Sequence, residues 1–143
     1  MNRLRSVSPL LVVLLALIGL VRPAVRIVLT VLGVETGPAL PIGLTVVITL
    51  VWAIVVGRGR APQPLLTLVL AGLAYGVLAI LLSGVLSPII DGELAGPLAN
   101  PIAIGPVLLT GAVWGLVAGG LALLVRRLWP ARGATRPADA GRP

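Results

Sequence analysis

The sequence predicts an all-α membrane protein, a bundle of four transmembrane helices with the N- and C-termini cytoplasmic. Three observations carry that reading. Hydrophobic residues make up 58% of the 143 and charged residues 10%, where a soluble domain carries roughly 25% charge; the mean hydropathy is +1.14. Four apolar stretches are each long enough to cross a hydrocarbon core about 30 Å thick, which takes about 20 residues of helix. The Arg residues outside those stretches all fall on one side once four crossings are drawn.

The first span covers about residues 9–32 and follows Arg3 and Arg5. The second, 39–56, is entered through Gly37-Pro38 and Pro41, which are turn and helix-start signals. A stretch from Gly57 to Pro64 separates it from the third span, 65–90, which contains no charged residue. Ser87-Pro88, Gly92, Gly96-Pro97 and Asn100-Pro101 punctuate the last connection, and the fourth span covers 101–125. These elements form one transmembrane domain over 1–129. The remaining residues, 130–143, are Pro, Ala, Gly, Arg, Thr and one Asp. They have little to bury and are expected to form a disordered basic cytoplasmic tail.

Charge sets the orientation. Arg3, Arg5, Arg58, Arg60, Arg126, Arg127, Arg132, Arg136 and Arg142 share one side of a four-span chain, and Glu35, Asp91 and Glu93 share the other. The positive-inside rule places the Arg side in the cytoplasm. A secretory signal peptide is the competing reading of the first span, but Arg22-Pro23-Ala24 makes a poor cleavage site and no soluble domain follows. An uncleaved span is preferred. The net charge is +7 and every basic residue is Arg. With abundant Ala, Gly and Pro, this suggests a GC-rich bacterial genome, hence a multi-pass protein of the bacterial cytoplasmic membrane. Because the charges flank apolar spans, the expected partners are the lipid bilayer and anionic headgroups at the cytoplasmic face, not nucleic acid.

Small residues mark where helices approach closely in lipid. Gly72 and Gly76 form a GxxxG in the third span, with Ala79 and Ser83 on the same face; Gly111, Gly115 and Gly119 form a tandem GxxxG in the fourth. These glycines are expected to pack helices within the chain, with a remaining face for a homo-oligomer or a larger membrane complex. The two segments share the pattern Leu-x-Gly-x-x-aromatic-Gly-x-x-Ala, beginning at Leu70 and Leu109. Neighbouring spans run in opposite directions, so this is either an inverted repeat of the kind transporters use or chance similarity in a restricted alphabet.

Arg22 and Arg26 are the clearest anomaly. They lie four apart, on one helical face, and Arg22 falls roughly 20 Å into the first span counted from Pro9. Three readings are open. The span ends at Pro23 and an amphipathic segment follows at the outer surface; or both Arg join a polar cluster with Glu35, Asp91 and Glu93; or they line a cavity that receives an anionic group from a solute or lipid. Tyr75 and Trp114, near mid-span, need hydrogen-bond partners or a glycine gap to fill. Thr45, Thr49, Thr67, Thr110 and Ser83 can return their hydroxyls to the helix backbone. The apolar loop from Ser87 to Pro106 is expected to lie on or dip into the outer membrane surface.

The catalytic stock is thin. The chain has no Cys, His, Lys or Phe and only four carboxylates. No thiolate, imidazole base or Schiff-base chemistry is open to it. No catalytic residue, cofactor or metal site is expected. The sequence therefore predicts a non-enzymatic accessory or scaffold subunit that packs through glycine-rich helices. Its alternative is a small oligomeric transporter or channel for an anionic solute.

Overall fold

The computed structural model describes residues 7–35, 37–59, 61–90 and 92–129. Arg3, Arg5, Arg60, Asp91 and the tail 130–143 lie outside them. The described chain is helical, with no strand among its residues. Helices α1 (Pro9–Gly19), α2 (Val21–Val31), α3 (Ala39–Arg58), α4 (Pro64–Ile90) and α5 (Ile104–Leu128) follow in order, with a short 3-10 turn at Pro101–Ala103 leading into α5. They make four helical stretches long and apolar enough to cross a membrane: Pro9–Val31, Ala39–Arg58, Pro64–Ile90 and Pro101–Leu128.

Local chemistry explains the helix ends. Ser8 caps α1, its Oγ accepting from the Leu11 N–H at 3.4 Å, and Pro9 supplies a pre-set φ at the first helical position. The break between α1 and α2 belongs to Pro23. It has no N–H for the Gly19 carbonyl four residues back, and its ring crowds that carbonyl. Helical bonds on both sides survive, Leu20 N–H to Ala16 at 3.1 Å and Ala24 N–H to Leu20 at 3.0 Å, so the two helices form one interrupted span. α2 stops at Gly33, whose φ of 70° lets Gly33 N–H reach Thr30 O at 3.1 Å and Val34 N–H reach Leu29 O at 2.9 Å. Those paired bonds form a Schellman cap.

The tightest seam joins α4 to the antiparallel α5. A Cβ on Gly72 would run into the Gly111 carbonyl oxygen, and one on Gly111 into the Gly72 carbonyl oxygen. Gly76 lies over Val107 and Leu108, and Gly115 over Leu68 and Val69. These contacts map onto one another under the 39-residue offset of the shared pattern. Tyr75 and Trp114, its aromatic positions, meet edge to face at 5.3 Å. The hairpin thus has a local two-fold axis passing between Gly72 and Gly111. Gly119 is also buried in the seam, a Cβ there lying 3.0 Å from Leu65 Cα.

The core sits where the other helices close on this hairpin. Trp52 of α3 is fully buried. Its ring stacks on Trp114 at 4.9 Å, and its indole N–H donates to the Leu15 carbonyl of α1 at 2.9 Å. Leu15, Ile48, Val56, Leu68 and several alanines pack around it. Large apolar side chains instead crowd the exterior, among them Leu14, Val47, Leu81, Val113 and Val117. That distribution inverts a soluble protein and suits contact with lipid.

One end of the bundle is clasped by charge. Arg126 of α5 donates to the Ala61 carbonyl at 2.8 Å and to the Gly59 carbonyl at 3.3 Å, pinning the turn between α3 and α4. The Arg58 guanidinium lies 5.2 Å over the Trp129 ring. At the opposite end, the segment after α4 folds back on its helix. Leu98 packs on Gly84, Gly96 meets the Ser83 hydroxyl, and Ser87 Oγ, bonded to Ser83 O at 2.7 Å, also lies 3.4 Å from the Ala95 carbonyl. Gly96 takes a φ of 81° to make this return. Ser83 is therefore the exception among the hydroxyl residues, facing the loop instead of its own helix.

Candidate functional site

Arg22, Arg26, Thr45, Tyr75 and Thr110 border two adjoining cavities in the half remote from the Arg126 clasp. The first, about 420 Å³, opens between α2, the start of α3 and Tyr75; Arg22, Pro23, Arg26, Pro38 and Pro41 line it. The second, about 390 Å³, lies between α3, α4 and α5; Arg22, Thr45, Tyr75, Ala79, Thr110 and Trp114 line it, and Thr110 is exposed. Arg22 and Tyr75 border both. Together they form one vestibule, bordered by the exposed Arg26 in the first cavity and floored by Tyr75 and Trp114 in the second.

The local sequence explains why both arginines border this space. Arg22, Arg26 and Thr30 recur every fourth residue of α2, so they share a stripe, and Thr30 Oγ1 ties back to the Arg26 carbonyl at 2.9 Å. Arg22 is half-buried. It lies nine residues, roughly 13 Å of helix, inside the end of α2 at Val31. The kink at Pro23 separates the stripe from the packed face of α1.

The floor is held by a relay of hydrogen bonds. Trp114 Nε1 donates to Thr49 Oγ1 at 2.7 Å. Thr49 Oγ1 donates to the Thr45 carbonyl at 2.6 Å, and Thr45 Oγ1 to the Pro41 carbonyl at 2.7 Å. Thr110 Oγ1 likewise donates to the Pro106 carbonyl at 2.8 Å. Tyr75 is fixed by packing: a Cβ on Gly19 would come within 2.8 Å of its ring. The hydroxyl oxygens of Thr45 and Thr110 retain acceptor capacity, but their protons are committed to the helices.

Of the residues that sequence singles out, Arg22 and Arg26 are brought together. Glu35 and Glu93 are exposed in connecting segments and line neither cavity, and Asp91 lies outside the described residues. Among the described residues no carboxylate lines the vestibule. No group of three His, Cys, Asp or Glu that could hold a metal ion gathers among them either. Gly72, Gly76, Gly111, Gly115 and Gly119 lie in the α4–α5 seam, and Gly111 also borders the second cavity. The walls contributed by Tyr75, Thr45 and Thr110 escape sequence reasoning, because the residues that face them lie far away in the chain.

No family model, curated protein or solved structure matches the chain. Among the described residues the vestibule walls are cationic and carry no carboxylate, and the aromatic floor is hydrogen-bonded. The vestibule has the chemistry to hold an anionic group.

Proposed function

We propose that this is a non-enzymatic, multi-pass protein of the bacterial cytoplasmic membrane that binds an anionic group in the Arg22–Arg26 vestibule. The bundle spans the bilayer four times with the clasped end and both termini cytoplasmic, so the vestibule opens to the outer side. The observation that carries the proposal is Arg22, half-buried well inside a membrane-length helix with no carboxylate on the described vestibule walls. A guanidinium at such depth is costly unless water or an anion solvates it. Two Arg one turn apart suit a multidentate oxyanion such as phosphate better than a halide, since guanidinium groups donate in planar pairs. This favours reading the protein as a small anion-binding carrier or receptor.

The accessory-subunit reading keeps one supporting observation. Gly43, Gly105 and Gly120 have nothing within 4 Å of where a side chain would begin, so small-residue positions on α3 and α5 are left uncovered for a neighbour. The α4–α5 glycines do not contribute to it, because they are spent inside the chain.

Thermal unfolding of the purified protein, with phosphate titrated against chloride at equal ionic strength, tests the anion reading. A bound ligand stabilises by about 2.7 kcal/mol at a hundredfold excess over its Kd. Phosphate should raise the midpoint of the wild type and leave Arg22→Gln and Arg26→Gln unmoved. Equal shifts in all three proteins would sink the proposal.

A further inference from the structure

The vestibule has an apolar annex. On the other side of α2 a groove of about 200 Å³ runs along the outer half of α4, between Pro23 and Ile27 on one wall and Leu82, Leu86 and Ile90 on the other. Its two serines do not make it polar: Ser87 donates to the Ser83 carbonyl, and Ser83 faces the returning loop. The groove and the vestibule touch at two points. Pro23 lines both the groove and the first cavity, and Ala79 lines both the groove and the second cavity. Pro23 and Ala79 are compact, and α2 contributes no fully buried side chain to fill the space between them.

We infer that the ligand of the vestibule is an anionic lipid, its phosphate held by Arg22 and Arg26 and one hydrocarbon chain lying in the α2–α4 groove. This rests on the anion reading above and deepens it. The cationic vestibule and the apolar groove meet at one junction. A wholly hydrophilic anion would satisfy the guanidinium groups and leave the adjoining groove unused. A neutral hydrocarbon would fill the groove and leave two cations unmatched. A molecule with a phosphate head and an alkyl tail matches both surfaces, and the bilayer supplies such molecules at high local concentration. The chain moves from one apolar environment to another, so the groove orients the lipid while the headgroup charge selects it. The groove joins the vestibule at Pro23 and Ala79, beside Arg22 and about 13 Å below the end of α2, and runs from there toward Ile90, so the bound chain lies along the outer half of α4 instead of pointing to the mid-plane like those of the surrounding leaflet.

Native mass spectrometry of the detergent-purified chain tests this, with phosphatidylglycerol, chain-matched phosphatidylcholine and soluble glycerol 1-phosphate as probes. The expected result is one phosphatidylglycerol per chain, retained about tenfold better than phosphatidylcholine, a difference worth about 1.4 kcal/mol. Arg22→Gln and Arg26→Gln should abolish the preference. Leu82→Trp and Leu86→Trp, two independent ways to fill the groove at residues that line neither vestibule cavity, should weaken phosphatidylglycerol retention and leave glycerol 1-phosphate binding intact. That retained response also shows that the variants fold. If the groove variants hold phosphatidylglycerol as the wild type does, the lipid inference fails while anion binding stands. If neither anionic probe depends on Arg22 or Arg26, both fail.

Discussion

Gly72→Ala places a methyl group against backbone that cannot yield. Its Cβ would collide with the Gly111 carbonyl oxygen and lie 2.9 Å from the carbonyl carbon and 3.2 Å from the Gly115 nitrogen. Comfortable carbon contacts need about 3.5–4.0 Å. The Gly111 carbonyl belongs to the helical ladder of α5, so it cannot swing aside without breaking that ladder. The helices must separate by roughly 1 Å, a gap that forfeits a quarter to a half of each dispersion contact along the seam. Overpacking of this kind costs about 1–3 kcal/mol, against a helix-propensity gain of at most about 1 kcal/mol for Gly to Ala. The expected net loss is about 1–2 kcal/mol. Gly120→Ala is the matched control: it sits in α5 with nothing within 4 Å and should be neutral or slightly stabilising. Reversible unfolding by denaturing detergent in mixed micelles, followed through tryptophan emission, reads both. A Gly72→Ala midpoint equal to that of wild type, or an equal loss in Gly120→Ala, would refute the close-contact argument.

Three further substitutions probe other parts of the account. Thr49→Val removes the acceptor of the Trp114 indole and should cost about 1–3 kcal/mol by stranding a donor, with a shift in Trp114 emission; Thr49→Ser should behave as wild type in the same unfolding measurement. Arg126→Ala releases the Gly59 and Ala61 carbonyls. It should speed proteolysis of the α3–α4 turn while costing only about 1 kcal/mol globally, because the clasp is partly exposed. Gly96→Ala forces an L-residue to a φ of 81° and against the Ser83 hydroxyl; it should cost about 1–2 kcal/mol and raise hydrogen exchange over residues 92–98.

The four helical stretches are legible because membrane-length apolarity is a property of composition, which needs no partner to be seen. Their ends are less so. α3 runs on to Arg58 and α5 to Leu128, beyond the apolar runs, since a helix continues through charged residues wherever nothing breaks it. The kink near Arg22 is legible in Pro23, but which way the Arg stripe faces is not: it depends on the position of α3 and α5 against α2. The same limit hides the Trp52–Trp114 stack and the Trp114–Thr49 bond, which joins residues 65 positions apart. The 39-residue pattern is visible in sequence as repeated letters. Only the packing reveals that its glycines and aromatics face one another across an axis. Pairing of Arg22 and Arg26 with the outer carboxylates is suggested by charge alone, and charge alone does not bring Glu35 or Glu93 to the vestibule wall.

Because the chain has no native cysteine, single cysteines can be placed at Thr45 and Thr110 on the vestibule wall, with the buried Thr67 as the protected control. Modification rates by an anionic and a cationic membrane-impermeant thiol reagent of equal size, applied to the outside of intact cells, test the central claim most directly. The account predicts that both wall positions react from outside, that the anionic reagent is faster by about tenfold through attraction to the recess, and that Arg22→Gln with Arg26→Gln removes the difference. Rates as slow as at Thr67, or rates indifferent to reagent charge, would contradict an outward-facing, anion-attracting vestibule.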